Sequence, residues 1–186
     1  MALSPAETEA ELIRRTIAGD RLAFAGLARS LIPRLLATAG RMLGNRAEAQ
    51  DAVQDALASA WVARERLDAA RPILPMLTTI TLNKCRDRLR RRKVAEAFRL
   101  GAGPSCDLAG DEAPSPERAA GDRDALERTR QAIGRLPIRL REALVLVAID
   151  GHSQREAAEL LNVSEKTVET RIYRARRILR EEIGKP

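Results

Sequence analysis

Between Gly151 and Arg180 the chain reads GHSQREAAELLNVSEKTVETRIYRARRILR, and its apolar positions fall into two short helical patterns with a break between them. Ala157, Ala158, Leu160 and Leu161 give the apolar side of a first helix. Ser153 is suited to cap it, and Glu156 three residues on completes a capping box. Asn162 and Val163 supply the turn, and Ser164 caps a second helix. There Val168, Ile172, Ala175 and Leu179 recur at i, i+4, i+7 and i+11, which is one helical stripe. The opposite face carries Lys166, Thr170, Tyr173, Arg174 and Arg177, with Thr167 and Arg171 on its flank. A short helix, a tight turn and a cationic second helix predict a helix-turn-helix, whose second helix enters the major groove of DNA. Upstream, Leu140, Ala143, Leu144, Val147 and Ala148 predict one stripe of a third helix ended by Gly151. A basic amphipathic helix alone is often a solvated face. Two capped helices with a third helix ahead of them make a unit.

The same periodicity runs through the N-terminal half. Asp20 predicts an N-cap, with Phe24, Leu27 and Leu31 following on one face, and Pro33 predicts a kink or a split. Leu35, Leu36, Met42 and Leu43 carry the pattern to a stop at Gly44. Asn45 and Glu48 start a further helix that buries Ala52, Val53, Ala56, Leu57, Ala60 and Trp61. Its other face holds Glu48, Asp51, Gln54 and Asp55. Asp68 to Pro75 predicts a loop. A helix then runs from about Pro75 to Lys93, with Leu77, Ile80 and Leu89 in the core, and ends in KCRDRLRRRK, the densest basic run of the chain. Such runs bind nucleic acid through its phosphates without sequence preference.

From Gly101 to about Asp122 the pattern disappears into a stretch rich in Gly, Pro, Ala and acids, which predicts a flexible linker between two domains that are not rigidly packed. Helical pattern resumes near Asp124, with Leu126, Ile133 and Leu136 ahead of Pro137. The expected fold is all-α: a helical domain over 1–95, a linker over 96–123, and a helix-turn-helix domain over 124–186.

Composition narrows the chemistry. The 186 residues carry a formal net charge of +7, which favours an anionic partner. Aromatic residues are only 2% of the chain, so the cores are built from Leu, Ile, Val and Ala, as helix bundles are. No run of 18 or more uninterrupted apolar residues occurs, and none is expected to span a bilayer. The N-terminus lacks the apolar core of a signal peptide. Cys85 and Cys106 have no metal-type spacing and are expected as free thiols. The lone His152 beside a helix cap is expected to be structural. With no catalytic triad, metal cluster or glycine-rich phosphate loop in view, neither enzyme activity nor a cofactor is expected.

In order along the chain these segments resemble the extracytoplasmic-function sigma factors, small two-domain members of the sigma-70 family of bacterial RNA polymerase subunits. DRLAFAGLARSL resembles the start of the family's first conserved domain. AEAQDAVQDALASAW is similar to its core-binding helix, and MLTTITLNKCRDRLRRRK to its W-L-x-x-I-A-x-N-x-x-x-D-x-x-R-R segment. The last domain is matched by Leu136–Pro137, Arg141, S-x-x-E-A-A, V-S-x-x-T-V-x-x-R and R-A-R. The resemblance implies that Glu48, Asp51, Gln54 and Asp55 dock on the clamp helices of core RNA polymerase. It implies that Asn83, Arg88, Arg91 and Arg92 meet the minus-10 promoter element. Lys166, Thr167, Thr170, Arg171, Arg174 and Arg177 are implied at the minus-35 element. A cytoplasmic transcription initiation factor is implied, with an anti-sigma factor as a further partner. Met76 stands where the family usually has Trp, and Thr81 where it has a small residue, so aromatic base stacking is reduced and weak DNA melting is expected. A sigma-like decoy that sequesters an anti-sigma protein without binding promoters keeps the fold but not Arg171 and Arg174. An autonomous helix-turn-helix repressor needs a dimerisation segment. A nuclease needs acids beside the basic face, and Asp51 and Asp55 are expected on a face away from the arginine run.

Overall fold

The computed structural model describes residues 8–100 and 120–183, and every regular element among them is helical. In chain order these are α1 (Glu9–Ile17), α2 (Arg21–Leu43), α3 (Arg46–Val62), α4 (Ile73–Leu100), α5 (Ala120–Arg135), α6 (Ile138–Leu144), α7 (Gln154–Leu161) and α8 (Glu165–Ile183). A single 3₁₀ turn, Arg64–Arg66, follows α3, and a π-helical turn, Val145–Ile149, follows α6. Most of the expected linker, residues 101–119, lies outside the described residues, as does Cys106.

The starts and stops follow the local chemistry. Thr8 caps α1, a helix the apolar pattern alone did not reveal, and Ile13 and Thr16 are buried from it. Asp20 accepts from the Leu22 and Ala23 amides at the head of α2. The Arg15 guanidinium on Asp20, with those amides, holds the Asp20 carboxyl below the usual carboxylate range. Pro33 neither ends nor splits α2, which continues to Gly44 in the left-handed conformation at φ 70°. Asn45 accepts from the Glu48 amide to open α3. α4 begins two residues earlier than the pattern predicts, at Ile73, with Pro75 in its first turn, where a proline lacks no needed donor. The Ile73 amide donates to the Glu9 side chain at 2.9 Å, so α1 fixes the start of α4. By length and composition α2 could cross a membrane. Here Leu27, Leu35, Met42 and Leu43 are buried in the core instead.

The third helix of the C-terminal unit departs from the expected stripe. A π turn adds a residue to its last turn and rotates the following positions. Val145 and Leu146 become fully buried, while Ala148 is exposed. The chain leaves through Gly151 at φ 79°.

The two expected domains pack on each other. One hydrophobic cluster joins Leu35, Met42, Leu77 and Leu89 of the N-terminal half to Val145, Leu146, Leu160 and Val168 of the C-terminal half. Helices α6 and α7 pack on α4, and the π turn packs on α2. Polar ties reinforce this. Asp150 accepts from the Thr38 hydroxyl at 2.6 Å and pairs with Arg41. The fully buried Glu142 pairs with Arg86 of α4. The buried Arg141 guanidinium donates to the carbonyls of Met42 at 2.6 Å, Leu136 at 3.3 Å and Gly134. The physical reason is composition: both halves expose apolar helix faces, and joining them removes that surface from water.

Candidate nucleic-acid interface

The helix-turn-helix forms as its sequence predicts. Ser153 and Glu156 make both reciprocal bonds of the capping box. The Ser153 amide and hydroxyl donate to Glu156, which draws that carboxyl below its ordinary value. Asn162 adopts the left-handed conformation at φ 52° and turns the chain between α7 and α8. The Ser164 hydroxyl accepts from the Thr167 amide at 3.2 Å and caps α8. Val168, Ile172 and Ala175 are buried against the rest of the domain. Burial of that stripe fixes which face of α8 stays outside.

The outward face gathers the cations and hydroxyls. Ser164, Lys166, Thr167, Thr170, Arg171 and Arg174 line one open depression, joined there by Arg139 and Leu140 of α6. The Thr170 hydroxyl donates back to the Lys166 carbonyl at 2.8 Å. Lys166 pairs with Glu169 at 2.8 Å on the surface, a bond a phosphate can replace at little cost. Arg177 lies 3.9 Å from Glu181. Arg174 is exposed and has no acidic partner among the described residues. Partial burial lowers the pKa of the Arg171 guanidinium; Glu142 opposes that shift, and Arg139 and Arg86 add to it. An arginine remains charged at any relevant pH. A helix face that carries Lys166, Arg171, Arg174 and Arg177, with acids only at Lys166 and Arg177 as surface pairs, suits a polyanion groove.

In the N-terminal half, α3 and α4 lie side by side, and this corrects the expectation that the acids and the arginine run face apart. Arg88 pairs with Asp55 at 2.8 Å, and Arg92 with Glu48 at 2.6 Å. Arg92 also donates to the Leu43 carbonyl at 3.2 Å. Arg88, Arg92, Glu48 and Asp55 therefore brace one helix on another. Asp51, Gln54 and Arg91 stay exposed, without a side-chain partner among the described residues. Asn83 is exposed and accepts from Arg86 at 2.6 Å.

Two features escaped the sequence reading. Arg86 sits inside the basic run, and its interaction with Asn83 at i, i+3 was a local clue, but its pairing with Glu142 spans 56 positions of sequence. Trp61 is half-exposed, not buried. It stacks at a tilt on Phe24, 5.5 Å between ring centroids, with Arg64 at 5.0 Å and Arg21 at 5.9 Å over its ring. Met76 is partly buried, and Thr81 is fully buried with its hydroxyl unpaired. Cys85 is a buried free thiol whose pKa burial pushes up to about 12. No group of three or more His, Cys, Asp or Glu side chains is arranged for a metal among the described residues.

Comparison with known proteins places these surfaces in a family. Residues 27–94 match the family model for sigma-70 region 2, and residues 126–179 that for sigma-70 region 4. The chain is 39% identical over 182 residues to the RNA polymerase sigma factor CnrH of Cupriavidus metallidurans, covering 94% of this chain and 93% of that one. It is 36% identical to the ECF RNA polymerase sigma factor SigM of Mycobacterium tuberculosis, over 95% of this chain and 85% of that one. Among solved structures, CnrH in complex with the cytosolic domain of CnrY superposes with a TM-score of 0.65 at 33% identity, covering 94% and 96% of the two chains. The sigma factor RpoE with the anti-sigma factor NepR from Bartonella quintana gives 0.66 at 25% identity, covering 87% and 97%. Both conserved regions match in order, and relatives align over nearly their whole length. The chain belongs to the extracytoplasmic-function sigma factors of the sigma-70 family.

Proposed function

We propose that this chain binds core RNA polymerase and directs it to promoters by recognising a minus-35 and a minus-10 element. The observation that carries this reading is the outward face of α8, where Lys166, Thr167, Thr170, Arg171 and Arg174 share one depression. Arg174 and Arg171 are assigned to base edges or phosphates of the minus-35 groove, with Lys166 and Arg177 on phosphates and the threonines on base methyl or polar edges. Asn83 and Arg91 are assigned to the minus-10 element, with Arg88 and Arg92 beside them. Asp51 and Gln54 provide the free part of the polymerase-docking surface. Glu48 and Asp55 provide the rest, once released from Arg92 and Arg88. Acidic and amide groups suit a basic helical partner.

The N-terminal functional unit extends through α4 and the C-terminal one begins with α5. The Gly-, Pro- and acid-rich pattern of 101–119 supports a tether between them. The protein acts in the cytoplasm, where the polymerase is. It supplies recognition, and the polymerase supplies the chemistry, so no cofactor is assigned to this chain. CnrH and RpoE have been captured with CnrY and NepR. An anti-sigma protein is accordingly a further partner proposed here.

Run-off transcription of fragmented genomic DNA by purified core polymerase, with and without this protein, tests the reading. Discrete transcripts that need the protein are expected, and their start sites give the promoter sequences. Core polymerase that starts at the same sites with or without it would make the chain a decoy.

A further inference from the structure

Arg139 lies outside the helix-turn-helix, in the first turn of α6, yet it lines the same depression as Lys166, Thr170, Arg171 and Arg174. Among the described residues nothing rewards its charge there. It is exposed, and no carboxylate or carbonyl partners its side chain among the described residues. The first turn of a helix carries the positive end of the helix dipole, where acids stabilise and cations do the opposite. α6 has no acid in that turn, and its N-cap, Pro137, offers no side-chain bond. Arg139 also sits close enough to Arg171 to act on its charge. Three guanidiniums and Lys166 thus converge from two helices on one open hollow. Each additional cation costs the free protein self-repulsion, and a bound anion relieves it.

From this we propose that Arg139 is a backbone clamp: it contacts a DNA phosphate on the strand bordering the groove that α8 enters, while α8 alone reads sequence. The proposal rests on α8 being the minus-35 reader. An arginine from a neighbouring helix, displaced to the side of the recognition helix, meets the sugar-phosphate rim before it can reach base edges. Contacts of that kind fix register and carry no sequence information.

The test uses holoenzyme assembled from core polymerase and full-length protein. The probe is a duplex promoter fragment recovered by the run-off experiment, together with versions carrying single changes in the minus-35 element. Affinity is measured across a salt series for the parent and for Arg139→Ala, Arg139→Lys and Arg174→Ala. Arg139→Ala is expected to weaken binding roughly three- to tenfold, by the same factor on every fragment, and to reduce the salt slope by about 1. Arg139→Lys keeps most of the affinity. The melting temperature of Arg139→Ala is expected to be unchanged or higher, because a cation leaves a helix start; a residue with a purely structural role would lower it. Arg174→Ala is expected to weaken binding and, where it reads a base, to alter the ranking of fragments. An unchanged salt slope for Arg139→Ala, with Arg174→Ala still defective, overturns the clamp and leaves the minus-35 reading standing. A changed ranking of fragments for Arg139→Ala also overturns it, since Arg139 then reads bases. If neither variant alters affinity, the minus-35 reading falls and the clamp with it.

Discussion

Arg141 shows how much one side chain can carry in this fold. Its guanidinium is buried, and burial lowers its pKa; Arg92 adds to that effect and Glu142 opposes it. A planar fork of donors lets it satisfy three carbonyls at once, on Met42, Gly134 and Leu136. The last two lie at the end of α5, where helix carbonyls have no partner within the helix. Arg141→Ala leaves the Met42 and Leu136 carbonyls without this partner in buried surroundings, and a loss of about 2–4 kcal/mol in denaturant unfolding is expected. Arg141→Lys should recover little of it, because an ammonium on a flexible stem cannot span the three acceptors. Full rescue by lysine would show that the charge alone matters. The sequence reading identified Arg141 only as a family motif position, since its acceptors are backbone atoms and one of them is 99 positions away. Residues whose partners are local were legible: Asp20, Asn45, Ser153 and Ser164 all cap the helices their positions suggest.

Elements were legible where the apolar period was unbroken and less so at their ends. The start of α8 was read correctly because Ser164 and the stripe from Val168 agree. The end of the α6 segment was not, because a π turn changes the period itself, and only Val145 and Leu146 in the core reveal it. Helix α7 gives a pH-dependent prediction. Its capping carboxylate, Glu156, is held below its ordinary pKa by the bonds from Ser153. A group whose pKa is lowered on folding stabilises the fold above its unfolded pKa. That stabilisation is lost as pH falls through the folded value. The capping box is therefore expected to weaken only on acidification below the ordinary glutamate range. Amide protection factors in α7, taken relative to intrinsic exchange at each pH, should fall in the parent protein as pH is lowered and be already low, without that pH step, in Glu156→Gln. Ser153→Ala is expected to cost about 1 kcal/mol. Identical acid profiles for the parent and Glu156→Gln would exclude the capping carboxylate as the cause.

At the scale of the whole molecule, the two halves are fastened by an apolar cluster and by a few charges that span them: Arg86 with Glu142, and Arg41 and Thr38 with Asp150. Periodicity could not show this, because it records which face of a helix is apolar and not what covers it. The basic run and the acids of α3 posed the same difficulty, since Arg88 and Arg92 reach across to a neighbouring helix. Removing Arg86 strands a buried carboxylate, and separation of the halves hydrates it. Arg86→Ala combined with Asp150→Ala is expected to enlarge the radius of gyration in X-ray scattering with helix content by circular dichroism unchanged. An unaltered radius would mean that the apolar contacts alone hold the halves together. The central claim is that polymerase binding and promoter recognition reside on separate surfaces of one chain. Asp51 and Gln54 lie exposed on α3, and Arg174 lies exposed on α8. The most direct measurement is co-purification with core polymerase run beside promoter-dependent transcription, for two variants. Arg174→Ala is expected to keep core binding and lose promoter-specific transcription, a contact worth about 1–3 kcal/mol. Asp51→Ala with Gln54→Ala is expected to lose core binding while α8 and its DNA face stay folded. A double variant that binds core polymerase as tightly as the parent would contradict the account, and the polar face of α3 would then be an ordinary solvated one.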